Sequence, residues 1–338
     1  MRLNYSMWLK AITTIPRMDD NEWNGLDGVS RWLISGRFAV VILTIISALL
    51  AGILAFRTAN INVGIWLVLI VALIFSHVAN NFLNDFVDFR KGIDRNNYYR
   101  AQYGPQPLDR GFVTQRQHLV ASFGNLLVAL CGGVVLVLYR GGLTLPLMLV
   151  GLLFLVFYTY PLKYVALGEL SVLLVWGPCM IGGGYYVLTG VWDWWVVLAS
   201  LPFALGATLV ILGKHIDKVE MDRAKGVRTL PVIIGERASR KITVTLALLQ
   251  HCVVIGLVAA NYLTPIALVV LISLPSFFRE MLPMYREPKP TTRPEGYPEE
   301  AWPLWFVGSA FVYTRRFGLL YVAGLILDTL IRRLLLHA

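Results

Sequence analysis

Nine stretches of this 338-residue chain are long and apolar enough to cross a lipid bilayer, and nothing else in the sequence limits its fold so sharply. A helix needs about 20 mainly apolar residues to span the hydrocarbon. The runs extend approximately from Arg37 to Phe56, Val63 to Leu83, His118 to Leu138, Leu143 to Leu162 and Gly168 to Leu188. They continue from Trp194 to Leu212, Ile242 to Ala260, Pro265 to Leu282 and Phe317 to Ile331. The expected fold class is all-α: a polytopic membrane protein of about nine transmembrane helices. With 57% hydrophobic and 15% charged residues, and a mean hydropathy of +0.64, the chain falls outside ordinary soluble composition.

The formal net charge of +10 raises nucleic acid as a partner. The bases are interleaved with the apolar runs, however, so the positive-inside rule accounts for them better and no nucleic acid is expected. An inside N-terminus places 26 of the 30 Lys and Arg residues on the cytoplasmic side, leaving Arg57, Arg140, Arg332 and Arg333 outside. Residues 1–36 contain no long apolar run and no cleavable signal peptide; they read as a cytoplasmic arm or surface helix. Residues 37–338 read as one transmembrane domain in the plasma membrane, with a proline-rich linker near 283–303. Cys131, Cys179 and Cys252 stand singly in apolar segments, as packed thiols do.

Against this background the charged clusters stand out. Asn80 to Asp94 reads NNFLNDFVDFRKGID, acids and bases set at the end of the second apolar run. Charge beside lipid is costly and usually marks function. On a helix, Asn81, Asp85 and Asp88 recur at i, i+4 and i+7, with His77 one turn earlier, so oxygen ligands converge on one face. Hard divalent cations such as magnesium take oxygen ligands and share them with phosphates, and Arg90 and Lys91 add positive charge for the same anion.

A second cluster, Gly213 to Gly235, repeats the arrangement as GKHIDKVEMDRAKGVRTLPVIIG. Its candidate ligands are Asp217, Glu220 and Asp222, among Lys214, Lys218, Arg223, Lys225 and Arg228. Asp217 and Asp222 lie five residues apart, about 140° around an ideal helix, so both face one site only if the helix ends or bends between them. Whether Asp217 or Glu220 partners Asp222 is open; Asp217 is preferred, with Lys214 three residues earlier on its face, while Glu220 can instead hold Arg223.

Four motifs, NDFVDFRKGID (Asn84 to Asp94), YGPQPLDRGFVTQ (Tyr103 to Gln115), YTYPLKYVALGE (Tyr158 to Glu169) and DRAKGVRTLPVIIG (Asp222 to Gly235), resemble the UbiA superfamily of intramembrane prenyltransferases and occur in its order. The resemblance runs from about Trp32 to Gly235 and continues without motifs through the last helices. It implies a ring of helices around a central cavity, magnesium-dependent binding of a polyprenyl diphosphate, and prenyl transfer to an acceptor that is often aromatic. Gly92 stands where the ubiquinone-type branch has a third acid, and the acid is delayed to Asp94, as in menaquinone-type 1,4-dihydroxy-2-naphthoate prenyltransferases. The second motif departs from that branch: four residues before Asp222 stands Lys218, with Asp217 one step earlier.

Carried onto this chain, the resemblance implies magnesium held by Asp85, Asp88, Asp217 and Asp222. Arg37, Lys91, Lys163, Lys214 and Arg228 become candidates for the diphosphate or an acceptor carboxylate, with Asn81, Asn84 and Tyr158 as further substrate contacts. Several side chains in these segments suit a structural role as well. Lys91, Arg223 and Lys225 fit membrane anchoring, His77 a packed and hydrogen-bonded position, and Tyr158 and Tyr160 an interfacial aromatic belt. Other acceptors remain open, namely a 4-hydroxybenzoate-like acid, a glyceryl phosphate lipid or a tetrapyrrole. An ion-coupled transporter is the rival class, although its site is expected near the midplane rather than at span ends.

Overall fold

The computed structural model describes residues 3–16, 18–93, 106–299 and 301–337. Asp94, the loop around Asn97 and the start of the Tyr103 motif lie outside the described residues. Three short helices come first: α1 (Tyr5–Thr13), α2 (Asp20–Asn24) and α3 (Gly28–Ser35). Each begins at a capping side chain, that of Asn4, Asp19 and Asp27 in turn, which accepts a backbone N–H from the first turn and satisfies donors a helix start leaves free. Their apolar faces close over Trp23, which stacks on Phe112 with ring centroids 5.0 Å apart.

The remaining helices follow the apolar runs. They are α4 (Phe38–Thr58), α5 (Val63–Arg90), α6 (Gln115–Arg140), α7 (Thr144–Phe157), α8 (Gly168–Thr189) and α9 (Trp194–Asp217). After two short helices, α10 (Val219–Ala224) and α11 (Leu230–Ile234), come α12 (Glu236–Ala259), α13 (Pro265–Arg286) and α14 (Phe306–His337). The order matches the nine expected runs, but only seven of these helices are long and apolar enough to cross a membrane. The other two fall short for different reasons. α7 has 14 residues and stops before Pro161, whose ring disfavours helix in the residue preceding it. α14 has 32 but carries Arg315, Arg316, Asp328, Arg332 and Arg333. Asp328 is fully buried and pairs with Arg57 of α4 at 2.9 Å, so the charge is compensated inside the bundle.

α9 is the most enclosed helix, with 78% of its most apolar window buried, and it packs against α8, α12 and α14. Small residues allow this. A Cβ on Gly213 would meet Val307 Cα at 2.8 Å, so the start of α14 rests on the backbone of α9. α4 joins α5, α8 and α14, and α6 and α7 complete a wall on the far side of α5. These elements surround a cavity of about 730 Å³.

The two ends of the bundle differ chemically. Arg140 donates to Val187 O at 2.7 Å and Leu188 O at 2.9 Å, Arg332 to Tyr262 O at 2.7 Å, and Arg333 to Phe56 O at 2.6 Å. Together with Arg57, which donates to Tyr262 O, these are the four bases expected outside, and all of them satisfy carbonyls at chain turns and helix ends. The 28 residues of α5 then carry the chain about 42 Å to the opposite end, where both acidic clusters lie.

Candidate active site

α5 remains helical to Arg90, seven residues past its apolar run, so the first motif forms a helical face rather than a loop. Its polar side chains point to several neighbours. Asn80 donates to Leu155 O at 2.8 Å and Asn81 to Gly36 O at 2.8 Å, tying α5 to α7 and to the α3–α4 junction. Asn84 donates to Asp88 Oδ2 at 3.3 Å and accepts from Thr159 Oγ1 at 3.2 Å. Lys163, after α7, reaches both oxygens of Asp88, at 2.7 and 3.0 Å. Asp85 pairs with Arg37. Arg37 holds a left-handed backbone, φ 54°, a conformation costing a residue with a Cβ on the order of 1–3 kcal/mol and found mainly at functional sites.

The second cluster approaches from α9 and α10. Along α9, the cavity-lining positions Ala207, Val210, Ile211, Lys214, His215 and Lys218 form one helical stripe, continued by Asp222 on α10. Lys218 Nζ lies 3.1 Å from Asp222 Oδ1, while Asp222 Oδ2 is buried with no hydrogen-bond partner among the described residues. Lys225 donates to Ile93 O at 2.5 Å, so the two clusters are in direct contact. At this end the cavity is lined by Arg37, Asn81, Asn84, Asp88, Tyr158, Lys163, Lys214 and Asp222, eight of the twelve expected site residues.

The other four are placed differently. Asp85 stands behind Arg37 and off the cavity wall. Lys91 is exposed and sits over the rings of Tyr160 and Tyr164, 3.5 and 4.5 Å from their centroids, and Arg228 is also exposed. Asp217 is placed away from the cavity. It lies about 200° around α9 from His215, so it leaves the cavity stripe. Its carboxylate accepts from Phe306 N at 3.1 Å and Val307 N at 3.0 Å at the start of α14, with Lys289 at 3.6 Å. Glu220 is exposed and holds Arg223 at 2.8 Å.

Two lining residues, Lys218 and His215, and Glu169 behind them are not expected at the site from sequence. Lys218 fills the place where the resembled branch has an acid, and that departure was the available signal. His215 and Glu169, 2.6 Å apart, fall within the charged cluster and the third motif, where no spacing singles them out. Beyond the polar end the walls are apolar, running from Leu43 and Leu73 past Leu130, Met148 and Trp176 to Leu136, Leu147 and Val187.

Among the described residues no three His, Cys, Asp or Glu side chains converge to hold a metal by themselves. Magnesium does not require this: it commonly takes one or two carboxylates, completing its shell with water and substrate phosphate. Asp88 on α5 and Asp222, with its orphaned oxygen, supply such donors at one end of the cavity.

Comparison with known proteins agrees with this geometry. The UbiA prenyltransferase family matches residues 41–297. A UbiA prenyltransferase domain-containing protein 1 homolog of Drosophila melanogaster is 29% identical over 177 residues, covering 48% of this chain and 45% of that protein. A 1,4-dihydroxy-2-naphthoate octaprenyltransferase of Bacillus subtilis is 23% identical over 238 residues, covering 68% and 74%. The chain spans about half the length of several curated relatives it matches. A UbiA homolog from Archaeoglobus fulgidus, solved bound to GPP and Mg2+, shares the fold with a TM-score of 0.56 at 13% identity, covering 84% of this chain and 96% of its own. The cavity walled by helices and the order of its motifs are those of an intramembrane enzyme fold, and the chain belongs to the UbiA prenyltransferase family.

Proposed function

We propose that the protein transfers a polyprenyl group from a polyprenyl diphosphate to an aromatic acceptor, 1,4-dihydroxy-2-naphthoate, as in menaquinone biosynthesis. One observation carries this reading: a long apolar cavity ends in Asp88 and Asp222 beside Lys163, Lys214, Lys218 and Arg37. The site suits a molecule with a hydrocarbon tail and a multiply charged anionic head. Family membership supports the reaction, the named activity of the Bacillus subtilis relative supports the acceptor, and the bound GPP and Mg2+ of the Archaeoglobus homolog support diphosphate and magnesium.

In this reading Asp88 and Asp222 would hold magnesium, and the ion when bound would supply positive charge to the diphosphate. Lys163 and Lys218 exchange their carboxylate partners for phosphate oxygens, and Arg37 and Lys214 complete the basic rim. The apolar walls hold the prenyl chain and keep water from the allylic cation as the carbon–oxygen bond breaks. Tyr158 and Trp176 line the same cavity, and aromatic rings there suit a cationic intermediate. The acidic end faces the cytoplasm across the cell membrane.

The test is an acceptor panel with one labelled prenyl diphosphate and the purified protein, read by mass spectrometry and by pyrophosphate release with and without magnesium. The expected product is prenylated and decarboxylated naphthoate, formed only with magnesium. Asp88→Asn is expected to lower turnover roughly 100- to 1,000-fold, the scale of losing one preorganised electrostatic group. A product on another acceptor alone overturns the acceptor, and no release from any pair overturns the reaction.

A further inference from the structure

We propose that His215, oriented by Glu169, is the base that takes the proton an aromatic acceptor loses on prenylation, an assignment that rests on the prenyl-transfer reading above. His215 Nδ1 lies 2.6 Å from Glu169 Oε1, joining α9 to the first turn of α8. Both side chains are buried, at 2% and 3% exposure, and Glu169 Oε2 has no hydrogen-bond partner among the described residues. A carboxylate so placed is costly unless it does something for its neighbour.

What it does is set the tautomer. Glu169 accepts the Nδ1 proton, which leaves Nε2 with its lone pair, and Nε2 makes no hydrogen bond to any described residue. His215 lines the cavity between Lys214 and Lys218, beside the polar end where the allylic cation forms. The neighbouring groups cannot replace it. Lys163, Lys214, Lys218 and Arg37 are hydrogen-bond donors with no acceptor to offer, and Asp88 and Asp222 are taken up by magnesium in the reading above. His77, on the wall formed by α5, bonds the neutral Thr44 hydroxyl at 2.8 Å and has no carboxylate to stabilise an imidazolium.

The step balances. The allylic carbon–oxygen bond breaks and its electron pair leaves with the diphosphate. A ring carbon of the acceptor forms the new carbon–carbon bond with its π electrons. As His215 Nε2 takes the proton from that carbon, the carbon–hydrogen pair returns to the ring. With a naphthoate acceptor, the neighbouring carbon–carboxylate bond then breaks, carbon dioxide leaves, and the electron pair left on that carbon takes a proton from water. Glu169 keeps its hydrogen bond to Nδ1, stabilises the imidazolium and acts as a positioning residue; the proton passes to water before the next turnover.

The experiment separates ionisation from transfer, using the full chain in lipid nanodiscs, one labelled prenyl diphosphate and acceptor carrying deuterium at the reacting carbon. For His215→Ala, pyrophosphate released without acceptor is expected to stay within about twofold of wild type. Product formation is expected to fall roughly 100- to 10,000-fold, the range of general-base catalysis, with a primary isotope effect absent from wild type and rescue by added imidazole. Glu169→Gln keeps the hydrogen bond without the charge; it carries the test if His215→Ala fails to fold, with product expected to fall while release persists. Equal loss of release and transfer in both variants, without imidazole rescue, overturns the dyad and leaves prenyl transfer standing. Wild-type protein that neither releases pyrophosphate nor transfers overturns both.

Discussion

Asp217 and Lys218 are adjacent, yet they serve different parts of the molecule, because each residue turns a helix by about 100°. Lys218 falls on the cavity stripe and pairs with Asp222; Asp217 falls off it and holds two backbone N–H groups of α14. Burial first, and then the Asp217 charge, push the Tyr297 hydroxyl up to about 12, in keeping with the contact of Asp217 with Lys289 in the proline-rich segment. Asp217→Ala is therefore expected to cost about 1–3 kcal/mol, for two orphaned donors, and to leave the magnesium requirement unchanged. Asp222→Asn is expected to do the reverse, lowering turnover roughly 100- to 1,000-fold with little change in melting. Melting and magnesium titrations of the two purified variants check the pair. A steep magnesium shift in Asp217→Ala returns that residue to the ligand set. The sequence showed the irregular spacing, and even that Lys218 stands four residues before Asp222. It did not show which of the neighbours faces inward, since that depends on the partner helix at Phe306.

At the scale of elements, apolar runs located the helices well and their ends poorly. α5 and α9 both continue past the point where hydrophobicity stops, to Arg90 and Asp217, because neighbouring chain satisfies the polar side chains there. The N-terminal arm shows the opposite limit: it has no long apolar run, yet α1 to α3 form a small cluster with their own anchor. Asp27 begins α3, accepting from Ser30 Oγ at 2.6 Å and from the N–H groups of Val29 and Ser30 at 3.0 Å, and it also receives Trp8 Nε1 at 3.2 Å and Asn4 N at 3.2 Å. The Ser30 hydroxyl contributes most, and these bonds together hold the carboxyl well below the usual carboxylate range. A depressed folded value means the stabilisation is present above the unfolded value of about 4 and is lost as pH falls below it towards the folded value. Docking of α1 is accordingly expected to hold through neutral pH and loosen only in acid. Limited proteolysis near Thr13 at descending pH checks it, and Asp27→Asn is expected to remove the acid dependence. Release of α1 at pH 6 in the wild type contradicts the assignment.

For the whole molecule, the separation of bases from acids along α5 makes a prediction about the membrane. Single cysteines in place of Asn60 at one end and Gly226 at the other are expected to label from opposite faces, Gly226 from the cytoplasm. Labelling of both from one face defeats a bundle spanning the bilayer in this orientation, and reversed labelling places the site outside. The sequence by itself determined the membrane class, the order of the helices and the two charged clusters, because hydrophobic length and the cost of charge in lipid act locally along the chain. Its four motifs were also enough to point to the family. The tertiary structure decided which charges meet: Arg37 with Asp85, Lys163 with Asp88, Lys218 with Asp222 and Glu169 with His215. Three of these four pairs join residues at least 46 positions apart, and their contacts follow from how the helices rotate and pack around the cavity, which no local periodicity encodes.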